Sequence, residues 1–310
     1  MALAAPSRAE QAAPVPGFAV ERFYPAAPAG GWFVMDTLDM HGGLGGAMSL
    51  TMGYASAPLR VTDGTTHLAV VSDQAFAGFG FAATYQRWRW YLNLDMPLAI
   101  YGQSGTVGPY TFAGPAVNLG SNPDTLSDAR LGTDVRLVGG PTSRFRFGLS
   151  GQLLIPSGFR VDYDTDDTFR GMIRALFAGD VRLFTYAAQL GVHIRPLDDA
   201  TPGSPKGSEL LFGAAAGVRL PVGRARAWAV IVGPELFGAT AFRFFFNSST
   251  TAFEGLLSGR IEGTRSDRMQ IRVKLGVGGG LHQQFGAPEW RLLAAIEVFN
   301  HRDRASSCCR

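Results

Sequence analysis

The stretch Met269-Gln270-Ile271-Arg272-Val273-Lys274-Leu275-Gly276-Val277-Gly278-Gly279-Gly280-Leu281 decides the fold. Met269, Ile271, Val273, Leu275, Val277 and Leu281 fall on one face of an extended chain, and Gln270, Arg272, Lys274, Gly276, Gly278 and Gly280 on the other. A period of two with unlike faces is the mark of a β-strand. The run is long enough to cross a bilayer at a tilt. After the turn at 283–288, a second run from Trp290 to Phe299 places Trp290, Leu292, Ala294, Ile296 and Val298 on one face. The two runs read as the closing hairpin of a membrane β-barrel.

Working back along the chain, the same pattern recurs. Trp88, Trp90, Leu92, Leu94, Met96, Leu98 and Ile100 oppose Arg89, Asn93 and Asp95. Phe145, Phe147, Leu149, Leu153 and Ile155 oppose Arg146, Gly148, Ser150 and Gln152. Further extended runs are predicted at 17–24, 32–41, 44–54, 67–86, 129–138, 169–178, 182–194, 209–220, 227–242 and 253–263. Short turns near Gly42, Arg87, Gly139, Gly179, Val222 and Arg265 alternate with longer loops, the largest at 102–126. Outer-membrane barrels have short periplasmic turns and longer external loops. Placing both chain ends in the periplasm makes 17–24 the first strand. The predicted fold is all-β: an up-and-down antiparallel transmembrane barrel of about fourteen strands, within a range of about twelve to sixteen. It spans 17–299, after a leader or signal remnant at 1–16 and before a periplasmic tail at 300–310.

Composition agrees. The 310 residues are 46% hydrophobic and 17% charged, yet no apolar run is long enough for a membrane helix. Lysine occurs only at Lys206 and Lys274, and the faces opposite the apolar ones carry Gly, Ser, Ala, Gln and Arg. A soluble β-sandwich binding domain is the alternative fold, but 40 glycines would weaken its strands for no return. In a barrel, small inner residues leave room for arginines and water. The net charge of +3 does not indicate nucleic acid, because the arginines alternate with apolar residues and do not form a patch. The only cysteines, Cys308 and Cys309, are adjacent and poorly placed for a structural bridge. The first eleven residues lack the charged and apolar regions of a secretory signal, although Ala2-Leu3-Ala4 and Ser7-Arg8-Ala9 resemble small-x-small cleavage sites.

The opening Gly17-Phe18-Ala19-Val20-Glu21-Arg22-Phe23, then Gly31-Trp32-Phe33-Val34 and Leu38-Asp39-Met40-His41-Gly42, resembles the start of the barrel region in OmpA-family outer-membrane proteins. Gly286-Ala287-Pro288-Glu289-Trp290-Arg291 resembles its last hairpin. The resemblance runs over about 17–299. It implies an outer-membrane barrel serving envelope structure or solute passage. The family's C-terminal peptidoglycan-binding domain has no counterpart here, so peptidoglycan is not an expected partner. Membrane lipid and lipopolysaccharide are.

The inner face is expected to carry Asp95, Arg130, Asp134, Arg136, Arg146, Gln152, Arg174, Arg219, Arg260, Glu262, Arg272 and Lys274. These groups form either an interstrand ion network or a lumen selecting anionic or polar solutes. Trp32, Tyr85, Trp88, Trp90, Trp228 and Trp290 lie near predicted strand ends and suit interfacial girdles. Asp162, Asp164, Asp166 and Asp167 form the one dense carboxylate cluster. It opens like a calcium loop but lacks the central glycine and the closing glutamate, Ile173 standing there instead. The plain expectation is a solvated external loop; the sharper one is a weak cation site bridging to lipopolysaccharide. The histidines are scattered, and no nucleophile elbow, phosphate loop or zinc motif is present, so neither enzyme nor cofactor is expected. The competing function is a surface protein whose external loops bind a partner, with the barrel as anchor.

Overall fold

The computed structural model describes residues 12–123, 126–197, 207–223, 228–263, 269–284 and 286–300. Twelve strands form its barrel, labelled in chain order. They are β1 Leu44–Thr62, β2 His67–Tyr85, β3 Trp88–Tyr101, β4 Ala129–Val138, β5 Arg146–Ile155 and β6 Arg170–Val181. The other half comprises β7 Phe184–Ile194, β8 Glu209–Val222, β9 Trp228–Ala241, β10 Thr251–Gly263, β11 Gln270–His282 and β12 Trp290–Asn300. Each pairs antiparallel with its chain neighbours, and β12 closes on β1 from Trp290–Ser56 to Asn300–Gly46. Closure leaves no open edge, the condition for a sheet to cross lipid.

The outward face is apolar throughout. In β11, Ile271, Val273, Leu275 and Val277 are exposed while Arg272 and Lys274 between them are buried. Trp88, Trp90, Trp228 and Trp290 are nearly half exposed on the outer wall. Turns at Arg87 and Gly139 and loops at 102–126, Asp164 and Ser248 fall where predicted, while the β6–β7 turn falls at Arg182–Leu183, not at Gly179. The predicted turn at Gly42 and loop at Pro28 join no wall strands, and those at Arg265 and Pro202 lie outside the described residues.

Two predicted strands are corrected. Residues 17–24 and 32–41 do not join the wall, so the barrel has twelve strands and not fourteen. Among the described residues, none from Val15 to Gly43 belongs to a strand. They run through the lumen, and Phe18, Phe33, Met35, Leu38 and Met40 are among the most buried side chains. The reason is in the sequence: Trp32-Phe33-Val34-Met35 is apolar on both sides of the alternation. A wall strand must offer lipid one face and the lumen the other. A segment surrounded on all sides can be apolar all round. Trp32 consequently belongs to the interior and not to the girdle.

The segment enters at the mouth carrying the longer loops. There Ala13–Pro14 pairs parallel with Tyr110–Phe112, which in turn pairs with Gly105–Val107. It leaves at the short-turn mouth, where Leu44 opens β1 opposite Tyr85. The described chain ends therefore lie at opposite mouths, correcting the expectation that both are periplasmic: the lumen passage adds one crossing to an even number of strands. The predicted leader and the tail beyond Asn300 fall outside the described residues.

At 19 residues each, β1 and β2 exceed the nine to eleven or so that span a membrane. Their pairing is bulged between Ser56 and Leu59, with Ala57 at φ 47°. Bulges bend and twist a hairpin. The tall hairpin packs Leu59, Leu68, Val70 and Val71 with Val15, Phe18, Val107 and Phe112 at the outer mouth.

Candidate functional site: the occupied lumen

The inner wall binds the lumen segment in three tiers. At the outer tier, Arg291 Nη2 donates to Glu21 Oε1 at 2.8 Å and its Nε to Glu254 Oε2 at 2.9 Å. Arg22 Nη2 donates to Glu209 Oε1 at 3.0 Å, and Arg195 Nη1 reaches the same oxygen at 2.9 Å. Tyr24 stands edge-on to His193, ring centroids 5.5 Å apart.

In the middle tier Phe23 meets Phe33, Phe76 and Phe237 at centroid distances of 6.0 to 6.4 Å. Beside this cluster the backbone N–H groups of Phe33 and Val34 each donate to a different oxygen of Glu235 at 3.0 Å. A segment outside the sheet must find partners for its main chain elsewhere, and the wall supplies them as side chains.

The inner tier is the most charged. Lys274 Nζ donates to the Trp32 carbonyl at 3.2 Å and to Glu297 at 2.7 Å. Arg272 bonds Glu262 at 2.8 Å and Glu297 at 2.9 Å. The Arg260 guanidinium lies 4.6 Å from the Trp32 ring centroid, a cation–π contact. Arg89 joins Asp134, at 2.8 Å, to Asp36 of the segment. Arg136 Nη1 donates to the carbonyls of Leu38 and Met40 at 2.8 and 2.7 Å.

The predicted inner residues are distributed as follows. Asp134, Arg136, Arg260, Glu262, Arg272 and Lys274 gather in the inner tier. Arg146 pairs with Asp180 at 2.7 Å, and Arg219 with Glu262 at 2.7 Å, both toward the inner mouth. Arg174 bonds Gln189 and Ser150 away from the segment, and Gln152 donates to Tyr91. Asp95 and Arg130 border a cavity of about 60 Å³ with Tyr24, Asp128 and Arg170. Sequence reading missed Glu235, Glu254, Glu297 and Arg291. The signal was parity: Glu235 shares the face of Ile231 and Phe237, which the lumen segment covers.

The acidic cluster behaves differently from both expectations. Residues 163–166 are buried, not solvated. Asp166 accepts from Arg195 Nε and Nη2, each at 2.7 Å, and from the Ala19 backbone N–H at 2.8 Å. Burial alone would raise this carboxyl, but Arg195, with Arg170 and Arg22, holds it well below the usual carboxylate range. The loop thus closes inward over the entering segment. Asp162, Asp164 and Asp167 do not join Asp166 in a ligand set; among the described residues no group of three or more His, Cys, Asp or Glu is placed to hold a metal.

Above the outer tier lies a cavity of about 770 Å³, floored by Val15 and Phe18 and walled by Leu59, Leu68, Tyr110 and Gln283. Its size is that of a small-molecule site.

No family model and no curated protein matches the chain. Solved structures do. An outer membrane channel of Pseudomonas putida F1 superposes with a TM-score of 0.54 at 9% identity, covering 83% of this chain and 95% of its own. The NanC porin aligns over 81% of this chain and 98% of its own at 6% identity, TM-score 0.47. At such identities the likeness is one of fold. None of the comparisons shows an OmpA-family relation, and the OmpA-like opening motif lies in the lumen segment and not in a strand. A closed barrel with an apolar exterior and a charged interior, folded like an outer-membrane channel, places the chain in the bacterial outer membrane.

Proposed function

We propose that the protein is a porin-like channel for small polar solutes, held closed in this structure by its own N-terminal segment. The observation that carries the reading is the way the segment is held. It shares no ladder with the wall and is gripped by side chains: Glu235, Arg89, Arg136, Lys274 and Arg291. The wall is a continuous hydrogen-bonded sheet whose ladder includes no residue of the segment. With the segment withdrawn, Arg89, Arg136, Arg260, Arg272, Lys274 and Arg291 would face water together with Asp134, Glu235, Glu254, Glu262 and Glu297; the cations slightly outnumber the acids, so a weak preference for anions is expected. The partners on this reading are the solute inside and the membrane lipid and lipopolysaccharide outside. No catalytic step, cofactor, nucleic acid or peptidoglycan enters it. The terminal motifs' resemblance to OmpA-family barrels is compatible with the proposal but does not support it.

Planar-bilayer recording tests it. Asp36→Asn combined with Glu235→Gln removes two holds on the segment while leaving the wall's ladder intact. The wild type should be mostly silent. The double variant should open often, with a reversal potential that marks a weak anion preference in a salt gradient. A folded double variant as silent as the wild type would favour the other reading, a sealed barrel serving as envelope scaffold or anchor for its external loops. The filled lumen is the observation on that side.

A further inference from the structure

Between β9 and β10 the sequence Phe242-Arg243-Phe244-Phe245-Phe246 forms the start of an external loop at 242–250. The β1–β2 turn, Asp63-Gly64-Thr65-Thr66, is polar by contrast, while the loop before β6 also exposes Phe159, Val161 and Phe169 but as separate residues and not as a run of rings. Here Phe244 is 71% exposed and Phe246 60%. Contiguous exposed aromatics on a soluble surface would be a liability.

The loop is built, and built against the outside of the barrel. Thr240 stands on the outward side of β9, yet it is fully buried, because the loop folds back over it. The Phe246 backbone N–H donates to Thr240 Oγ1 at 3.0 Å. Phe246 then meets Phe212 of β8 at 6.1 Å, and Phe212 meets Phe253 of β10 at 6.0 Å. The two strand residues reach each other across Gly238, where a Cβ would lie 2.9 Å from the Phe212 ring. Phe245 packs edge-on to Phe246 at 4.5 Å and stacks on Phe242 at 6.2 Å.

The backbone is strained to do this. Phe244 and Phe246 have φ of 59° and 54°, a region bulky residues avoid. Hydrogen bonds hold it there: Asn247 N–H donates to the Phe244 carbonyl at 3.0 Å, and Thr250 Oγ1 to the same oxygen at 2.7 Å. Strain of this kind, fixed by surrounding bonds, points to a use for the rings it presents. The patch runs without a break into the outward wall at Leu236 and Leu257, both exposed where lipid must lie.

We infer that the 242–250 loop is a lipid clip: Phe244, Phe245 and Phe246 lie among the acyl chains of the outer leaflet, fastening this side of the barrel at a set depth. The occupant is acyl chain because the patch continues the lipid-facing wall and is bent onto it, not raised above it. The inference requires the barrel to sit in the outer membrane. It does not require the barrel to conduct, so a failure in the bilayer recording leaves it standing.

Site-directed nitroxide labelling decides it. Phe245→Cys, in a background with Cys308→Ser and Cys309→Ser, is labelled and placed in phosphatidylcholine nanodiscs. Labels at Leu257→Cys on the mid-wall and Thr65→Cys on an outer turn serve as references. The label at position 245 should collide with oxygen several-fold more readily than with a water-soluble nickel chelate, as at 257 and opposite to 65. Nickel access matching that at 65 would overturn the inference. Loss of access to both reagents, with dipolar broadening between labels, would overturn it in favour of a contact between two copies. If Phe245→Cys fails to give a heat-modifiable barrel, Phe244→Cys is read the same way.

Discussion

The lumen segment and the last hairpin are both extended, apolar-rich stretches, and they are held in opposite ways. In β11 and β12 the main chain is paired along its length with neighbouring strands, and side chains alternate between lipid and lumen. In residues 15–43 the main chain bonds to itself and to the external loops, and its partners on the wall are isolated side chains, among them Glu235, Lys274 and Arg136. The difference teaches what makes a stretch part of a membrane wall. Apolar content does not suffice; one face must be free of it. It also separates two kinds of stability. A ladder is lost all together, whereas a row of side-chain grips can be released tier by tier.

That separation can be broken by experiment. The largest effect is expected from Arg89→Ala, which leaves Asp36 and Asp134 buried without their shared cation. Removing one member of a buried ionic group typically costs about 3–5 kcal/mol. The loss should fall on the inner tier of the segment: hydrogen exchange at residues 33–40 should rise in the folded variant, while the heat-dependent gel shift of the barrel persists. If the shift disappears with the grip, segment and wall form one cooperative unit and the contrast fails. Next is Leu275→Arg, on the lipid face of β11. An arginine near the bilayer midplane costs roughly 2–4 kcal/mol. Here the gel shift should weaken at lower temperature with residues 33–40 still protected, the mirror image of the first result.

The smallest effect concerns the loop that closes over the entering segment. Because the folded Asp166 carboxyl sits below its unfolded value of about 3.9, its stabilisation is complete above that value. It fades only as pH falls toward the lowered one. Hydrogen exchange of residues 157–168, corrected for intrinsic rate, should therefore be flat from neutral down to mild acid and rise only in strong acid. A loop that loosened near pH 6 would mean that Asp166 is not what closes it. The exposed Asp63, lowered to about 2 by hydrogen bonds from Thr66 and Thr65, should leave the fold unmoved over the same range.

The wall was legible because its physics is periodic. In β11, Arg272 and Lys274 between Ile271, Val273 and Leu275 can be read without any partner in view. The inward charges of the predicted set follow from the same parity. The lumen segment was misread as two strands because a short extended run, taken alone, does not reveal whether lipid or protein surrounds it. Trp32-Phe33-Val34-Met35 held the answer in its lack of a polar face. Asp166 was invisible for another reason. Its partners Arg195 and Ala19 lie 29 and 147 residues away, and no local spacing records them. Parity puts Glu235 on the inner face with Ile231 and Phe237, but its role as acceptor for the backbone amides of Phe33 and Val34 depends on residues some 200 positions away.

The seam between β12 and β1 has a consequence for biogenesis. It joins Trp290 to Ser56 and Phe299 to Ala47, the strand pairing of greatest sequence separation among the described residues, and so is expected to form late. The residues inside the barrel lead directly into β1. Assembly must therefore wrap the sheet around its own leading strand of peptide, or draw that peptide in before the last pairing is made. A cylinder sealed first would have to be threaded afterwards, against the aromatic cluster at its waist. The order of events, and not only the final contacts, is thus written into where residues 15–43 lie.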